Sequence, residues 1–378
     1  MRRFGFASFG LAVLGVAAFV ACDDTVDAVK LPPDAGAATD APVDAPVTTT
    51  DGGADSATVD GGSDAGDPVA RGKYIVENLA ACGDCHTPRK VDGSPDMTKF
   101  LSGVDCFAGV DLTTLDAGST DAGGDAGDAG DAAAPSGPPG CLSSRNLTND
   151  PTGLQNRTDQ EIINMFQHGL RPNNEALAPV MPYWEYANMT DADAKAIVAY
   201  LRTVPGVSHT VKAKQAPWTF ITTPAPALNL TTVPAAPAGN DSAARGRYLA
   251  TAVSSCIDCH TRETSPGNGI LDTSMWFAGS KVFPAAQLGL PSPPFPAVIY
   301  SANLTNHASG LAGWTAADIV KVLKEGKSKD DAGICPPMPV GPHGPFGGYQ
   351  DSDANDVAAY ILSLPGIALT RPDKCVAP

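Results

Sequence analysis

The chain has 378 residues and a formal net charge of −16, with 41 Asp and Glu against 25 Lys and Arg. That length excludes one small domain and suits about two or three. The acidic excess sits in two Asp-rich stretches, Asp23 to Pro68 and Asp105 to Gly140, so the rest is close to neutral and nothing is basic enough to hold nucleic acid.

At the N-terminus, Arg2 and Arg3 precede an apolar run from Phe4 to Val20, the pattern of an export signal over residues 1–21. The run is long enough to serve as an uncleaved anchor. However, Phe19-Val20-Ala21-Cys22 resembles a bacterial lipoprotein box, which predicts cleavage before Cys22 and lipidation of that cysteine. Phe19 stands where Leu is usual. Residues 22–68 are low-complexity Asp/Ala/Gly/Pro/Thr sequence that cannot bury a core, and read as an acidic disordered tether.

Ala70-Arg71-Gly72-Lys73-Tyr74 then leads into Cys82-Gly-Asp-Cys85-His86. Each residue type in this string has a job in covalent haem attachment. Two thiols can add to the two vinyl groups of one haem, and the histidine that follows is held close enough to ligate the iron. Half of a zinc site or a dithiol redox pair shares the Cys-x-x-Cys core. Neither accounts for a trailing histidine in both copies, the second being Cys256-Ile-Asp-Cys259-His260, far away in the chain.

After the first string, the run from Asp116 to Pro139 reads as a disordered surface loop within an insert at about residues 106–141. Asn146-Leu147-Thr148-Asn149 follows. Thr158-Asp-Gln-Glu161 has capping-box spacing before a helix, and a loop carries Met181-Pro182. Thr190 opens a last helix with Ala194, Ile197, Val198 and Leu201 on one apolar stripe, and Pro205 lies where a stop is expected. Residues 206–242, rich in Pro, Thr and Ala, read as a semi-extended linker or strap.

From there the landmarks return in the same order. Ala244-Arg245-Gly246-Arg247-Tyr248 precedes the second string, then come Asn303-Leu304-Thr305-Asn306, Thr315-Ala-Ala-Asp318, Met338-Pro339 and Ala359-Tyr360-Ile361. This is a duplicated unit. It predicts a mainly α protein with helical domains at 69–205 and 243–378.

A haem iron with one histidine needs a second ligand or an open face, and that choice separates a carrier from a catalyst. Met181 and Met338 occupy the same place in the two repeats, each followed by proline, and are the expected second ligands. Met189 has no counterpart and reads as packing. His168, His343, His209 and His307 recur in neither repeat and read as surface or loop residues. Nine cysteines are present. With one lipidated and four on haem, Cys106, Cys141, Cys335 and Cys375 remain, an even number that suits an oxidising compartment. Three pairings are open. Pairing within each domain gives Cys106–Cys141 and Cys335–Cys375, with free buried thiols as the alternative.

Each copy resembles a class I cytochrome c domain. More narrowly, Asn146-Leu-Thr-Asn-Asp-Pro-Thr-Gly-Leu, Met181-Pro-Tyr-Trp and Ala199-Tyr-Leu-Arg-Thr-Val-Pro resemble the multihaem cytochrome c subunits of bacterial periplasmic alcohol, gluconate and similar dehydrogenases. The resemblance implies two tandem cytochrome c-like haem domains holding two covalent haem c groups. Cys82 and Cys85 would bind one, with His86 and Met181 as iron ligands. Cys256 and Cys259 would bind the other, with His260 and Met338. Gly72 with Tyr200, and Gly246 with Tyr360, match the terminal-helix contact of such domains. It also implies c-type haem attachment outside the cytoplasm. The departures are two haem strings where those subunits have three, Asn149 and Asn306 where they usually have Pro, and the added tether and insert.

The function expected from all this is single-electron transfer between periplasmic redox partners, linked to a dehydrogenase or respiratory chain. A lipid anchor would hold the protein on the periplasmic face of a bacterial membrane. The rival is a dihaem cytochrome c peroxidase-like enzyme, whose catalytic haem needs an open face and a neighbouring acid–base group. Methionine candidates in both copies argue against it.

Overall fold

Asp67 and Pro68 open the first helix for simple reasons. The Asp67 carboxylate accepts from the Val69 N–H, and Pro68 occupies a first-turn position where no donor is needed. Helix α1 (Pro68–Tyr74) passes into a π-helical turn, Ile75–Leu79, and then into α2 (Cys82–His86), which carries the first string. Strands β1 (Val104–Ala108) and β2 (Leu142–Ser144) form a short antiparallel ladder. Helices α3 (Asp159–His168), α4 (Tyr183–Tyr186) and α5 (Asp191–Leu201) complete this half.

The order recurs in the second repeat. Helix α6 (Asp241–Tyr248), a π turn at Leu249–Val253, α7 (Cys256–Cys259), a ladder of β3 (Val282–Pro284) with β4 (Val298–Tyr300), α8 (Ala316–Glu325) and α9 (Asp351–Ser363) follow in turn. A single 3-10 turn, Pro345–Gly348, stands near the place of α4. The computed structural model describes residues 66–108 and 140–375, apart from 92, 267–268, 289, 291–292 and 373–374. The expected export signal, Cys22, the tether up to residue 65 and insert residues 109–139 lie outside the described residues. Among the described residues no helix is long and apolar enough to cross a membrane.

The capping boxes form as their spacing predicts. Thr158 and Glu161 cap each other's backbone at α3, Thr315 and Asp318 do so at α8, and the two helices end on the left-handed glycines Gly169 and Gly326. The two ladders go beyond the sequence expectation, because strands this short show no usable alternation. Cys106 in β1 is disulfide-bonded to Cys141 beside β2, and Cys335 to Cys375.

First and last helices of each repeat cross at glycine. A Cβ on Gly72 would lie 1.9 Å from the Ala196 carbonyl oxygen and 2.8 Å from Tyr200 Cβ. One on Gly246 would lie 1.8 Å from the Asp356 carbonyl oxygen. Only a residue without Cβ lets the backbones approach this closely. Beside each crossing runs a buried ion pair, Arg71 with Asp193 at 2.8 Å and Arg245 with Asp353 at 2.7 Å.

One continuous core joins both repeats, from Ile75, Leu79 and Leu201 to Leu249, Val253 and Tyr360. The polar contacts across it are reciprocal. Tyr74 of α1 accepts from the Gln350 N–H at the start of α9 (2.9 Å) and donates to Asp353 (3.0 Å). Tyr248 of α6 accepts from the Thr190 N–H at the start of α5 (3.2 Å) and donates to Asp193 (2.7 Å). Each tyrosine thus helps cap the last helix of the other repeat. The chain between the repeats lies against them. The Ala225 N–H donates to the Tyr183 hydroxyl (2.8 Å) and the Leu228 N–H to the Trp184 carbonyl (2.8 Å), and Val233 is buried.

Candidate functional site

The two strings begin alike. Ala81 and Ser255, each just ahead of the first cysteine, take left-handed backbone at φ 50° and 51°. That kink ends the π turn and starts a new helical turn. Cysteines three apart on such a turn face the same side, and α2 and α7 present both pairs to one cavity.

The histidines are buried and held at two points. The backbone carbonyl of His86 accepts from the Gly103 N–H at 2.8 Å, and that of His260 from the Gly279 N–H at 2.7 Å. The His86 ring bonds through Nδ1 to the Arg145 carbonyl at 2.7 Å, and the His260 ring through Nδ1 to the Ala302 carbonyl at 2.8 Å. A carbonyl only accepts, so Nδ1 carries the hydrogen and Nε2 offers its lone pair. Burial lowers both imidazoles from their ordinary pKa, which favours the neutral, ligating form.

Arg145 and Ala302 come immediately before the two Asn-Leu-Thr-Asn blocks, and the blocks are what hold those carbonyls. Asn146 Oδ1 accepts from the Thr148 N–H (2.9 Å) and hydroxyl (2.7 Å), while Nδ2 donates to Thr152 Oγ1 (3.0 Å) and the Val207 carbonyl (2.8 Å). Asn303 repeats the set with Thr305 (2.9 and 2.7 Å), Ser309 (3.1 Å) and the Ile367 carbonyl (2.9 Å). Every polar atom of each amide is used in a buried turn. The sequence shows these blocks as a repeat but not their job, which is to aim a backbone carbonyl at the histidine.

Both sites open on one cavity of about 1970 Å3. Cys82, Cys85, His86 and Met181 line it, and so do Cys256, Cys259, His260 and Met338. Its wall is largely apolar, with Leu147, Trp276, Ile319 and Phe346 among the lining side chains. Met181 and Met338 are part-buried and packed on the core, each followed by the same tight turn over proline: Tyr183 N–H to the Met181 carbonyl at 2.8 Å, Val340 N–H to the Met338 carbonyl at 3.0 Å. The structure therefore brings each cysteine pair, its histidine and its methionine to the same cavity. An apolar hollow with paired thiols, a neutral Nε2 donor and a thioether suits a covalently attached haem. Burial pushes the Cys82 and Cys256 thiols up to about 12, which disfavours the thiolate that a dithiol redox pair would use.

The other candidates fall elsewhere. Met189 is buried in the core. His168 and His343 are exposed. His209 bonds to the Ser102 carbonyl at 2.9 Å, and His307, also on the cavity wall, bonds to Ser309 at 2.9 Å.

No family model matches the chain. It is similar to the fructose dehydrogenase cytochrome subunit of Gluconobacter japonicus, 30% identical over 61% of this chain and 46% of that protein. It is also similar to the cytochrome c subunit of the quinone alcohol dehydrogenase of Gluconobacter oxydans, 28% identical over 60% of this chain and 48% of that protein. A diheme c-type cytochrome of Cereibacter sphaeroides is 26% identical over 59% of this chain and 71% of its own length. The chain thus resembles cytochrome c subunits of dehydrogenases and spans about half the length of the two dehydrogenase subunits named here.

Proposed function

We propose that this chain is a dihaem c-type cytochrome that passes single electrons between periplasmic redox partners, one of them a dehydrogenase. The observation that carries this reading is the duplicated set on one cavity: two thiols, a histidine with Nδ1 already engaged, and a methionine. In it, residues 69–205 and 243–378 are tandem cytochrome c-like domains. Cys82 and Cys85 fix one haem and Cys256 and Cys259 the other, with His86 and Met181, and His260 and Met338, as the iron ligands. Bound haem c supplies a one-electron ferric–ferrous couple.

The chain's own contribution is placement and exclusion. The Arg145 and Ala302 carbonyls hold each imidazole in one tautomer and one orientation, so little rearranges when the charge changes. Met181 and Met338 would hold the iron from the side away from the histidines, and a thioether there would raise the potential and deny small ligands an open face. Export by the residue 1–21 signal and lipidation at Cys22 would hold the protein on the periplasmic face of a membrane, and the tether would raise its effective concentration near membrane partners.

The test is an absorption spectrum of protein matured in a bacterial periplasm, oxidised and reduced, with and without carbon monoxide and peroxide. Two low-spin haems, a methionine–iron charge-transfer band and no change with either ligand are expected. A high-spin haem that binds carbon monoxide and turns over peroxide would replace this reading with the peroxidase-like one.

A further inference from the structure

Between the two strings lies a residue that electron transfer alone does not use. Glu185 sits in α4, four residues after Met181, and is 0% exposed. Among the described residues neither of its carboxylate oxygens has a partner at hydrogen-bond distance. Such an acid is strongly disfavoured as an anion, and burial raises it well above the usual carboxylate range.

The polar and charged groups that act on Glu185 belong to the second repeat, whose π turn packs on α4. Asp258, inside the second string, opposes its negative charge, while the Ser255 hydroxyl and Lys281 act the other way. Lys281 is committed to Asp258 at 2.7 Å, with Glu263 at 4.0 Å. Cys256 and Cys259 both feel the Glu185 charge, as does Tyr186 beside it. Helix α3, packed on α4, contributes the neutral Gln167, which donates to the Tyr186 (3.1 Å) and Met189 (3.2 Å) carbonyls. Glu185 therefore rides on the methionine loop of the first site and acts on the attachment turn of the second. The matching position of the second repeat, four after Met338, is Pro342. The acid is thus a one-sided feature of a duplicated fold.

We propose that Glu185 is a proton-binding site coupled to the electron at the second haem, so that the protein takes up a proton when that site is reduced and releases it on reoxidation. This rests on Cys256, Cys259 and His260 being a haem site. One electron arrives from a one-electron donor such as the reduced cofactor of a partner dehydrogenase. One proton arrives from solvent at a Glu185 oxygen, and both leave when a one-electron acceptor is reduced. The carboxylate anion is tolerated beside the more positive, oxidised centre and disfavoured beside the reduced one. Ser255 is on the cavity wall, and among the described residues its hydroxyl has no partner at hydrogen-bond distance.

The experiment is an optical redox titration of the haem-loaded protein between about pH 5 and 9, the range that buried carboxyls reach, on the native chain and on Glu185→Gln. A reduced-minus-oxidised infrared spectrum of the native protein, in H2O and D2O, accompanies it. The expected result is one couple whose potential falls as pH rises, with a slope approaching one proton per electron. Glu185→Gln flattens that couple and leaves the other unchanged, and the native infrared spectrum gains a protonated-carboxyl band on reduction. Two couples independent of pH, a slope that survives Glu185→Gln, or no carboxyl band would each overturn the proposal. If Glu185→Gln does not mature, the native slope and infrared band decide alone. Absence of any reversible haem couple would instead sink the electron-carrier reading, and this proposal with it.

Discussion

A histidine offers one defined donor nitrogen only when something occupies the other, and here that something is a backbone carbonyl beside a buried asparagine turn. Replacing Asn146 by Ala leaves the Thr148 donors and the Val207 carbonyl short of their partner inside a buried turn. The loss should be about 2–4 kcal/mol, the sum of a few unmade buried hydrogen bonds, seen as a lower denaturation midpoint. Asn303→Ala should behave the same way through Thr305 and Ile367. The methionines invite a sharper test. Met181→Ala should turn one of the two haems high-spin and able to bind carbon monoxide, Met338→Ala the other, and the double variant both. A single variant that stays fully low-spin would mean another residue holds that iron. The cysteines, histidines and methionines that the structure brings to the cavity are legible in the sequence because the haem chemistry proposed for them would restrict residue type. The Arg145 and Ala302 carbonyls are not, since a backbone acceptor leaves no trace in the side chain. Glu185 is equally silent, because an isolated acid looks ordinary until its burial is known.

At the level of elements, the glycine crossing is the most constrained feature. Gly72→Ala would drive a methyl into the Ala196 carbonyl and Gly246→Ala into the Asp356 carbonyl, since the added carbon would meet those oxygens at 1.9 and 1.8 Å. The helical preference for Ala over Gly returns only about 1 kcal/mol, whereas forced overpacking costs about 1–3 kcal/mol and sometimes more. Each variant should therefore be less stable than the native protein, by chemical denaturation, and an unchanged midpoint would mean that the helices can slide apart freely. Capping boxes and left-handed glycine stops are readable because they are local, within four residues. The β1–β2 and β3–β4 ladders are not, because each pairs short segments that are separated in sequence. Cys106 and Cys141, bonded beside β1 and β2, close the base of the insert.

For the whole molecule the informative contacts are the two crossed tyrosines. The sequence presents two repeats and a Pro-rich connection, which leaves open whether they swing independently. Nothing local to Tyr74 or Tyr248 announces a partner in the other repeat, since those pairs are 279 and 55 residues apart in sequence. In the structure they tie each first helix to the other repeat's last helix, across a shared apolar core. Under the proposed function, electron transfer between two centres would need their separation fixed, and a common core with reciprocal polar ties would supply that. Unfolding followed by haem absorption and by helical content should then coincide in one transition, as a single cooperative unit requires. Tyr74→Phe and Tyr248→Phe each remove a donor to a buried carboxylate and an acceptor for a helix-start N–H. Each should lower stability by about 1–3 kcal/mol. Because Arg71 and Arg245 still pair with Asp193 and Asp353, the charges remain compensated and both variants should fold. The double variant should cost at least the sum of the two and begin to separate the haem and helix transitions. If it instead unfolds in one step at the native midpoint, the apolar core alone holds the repeats together, and the tyrosines only cap the helices they touch.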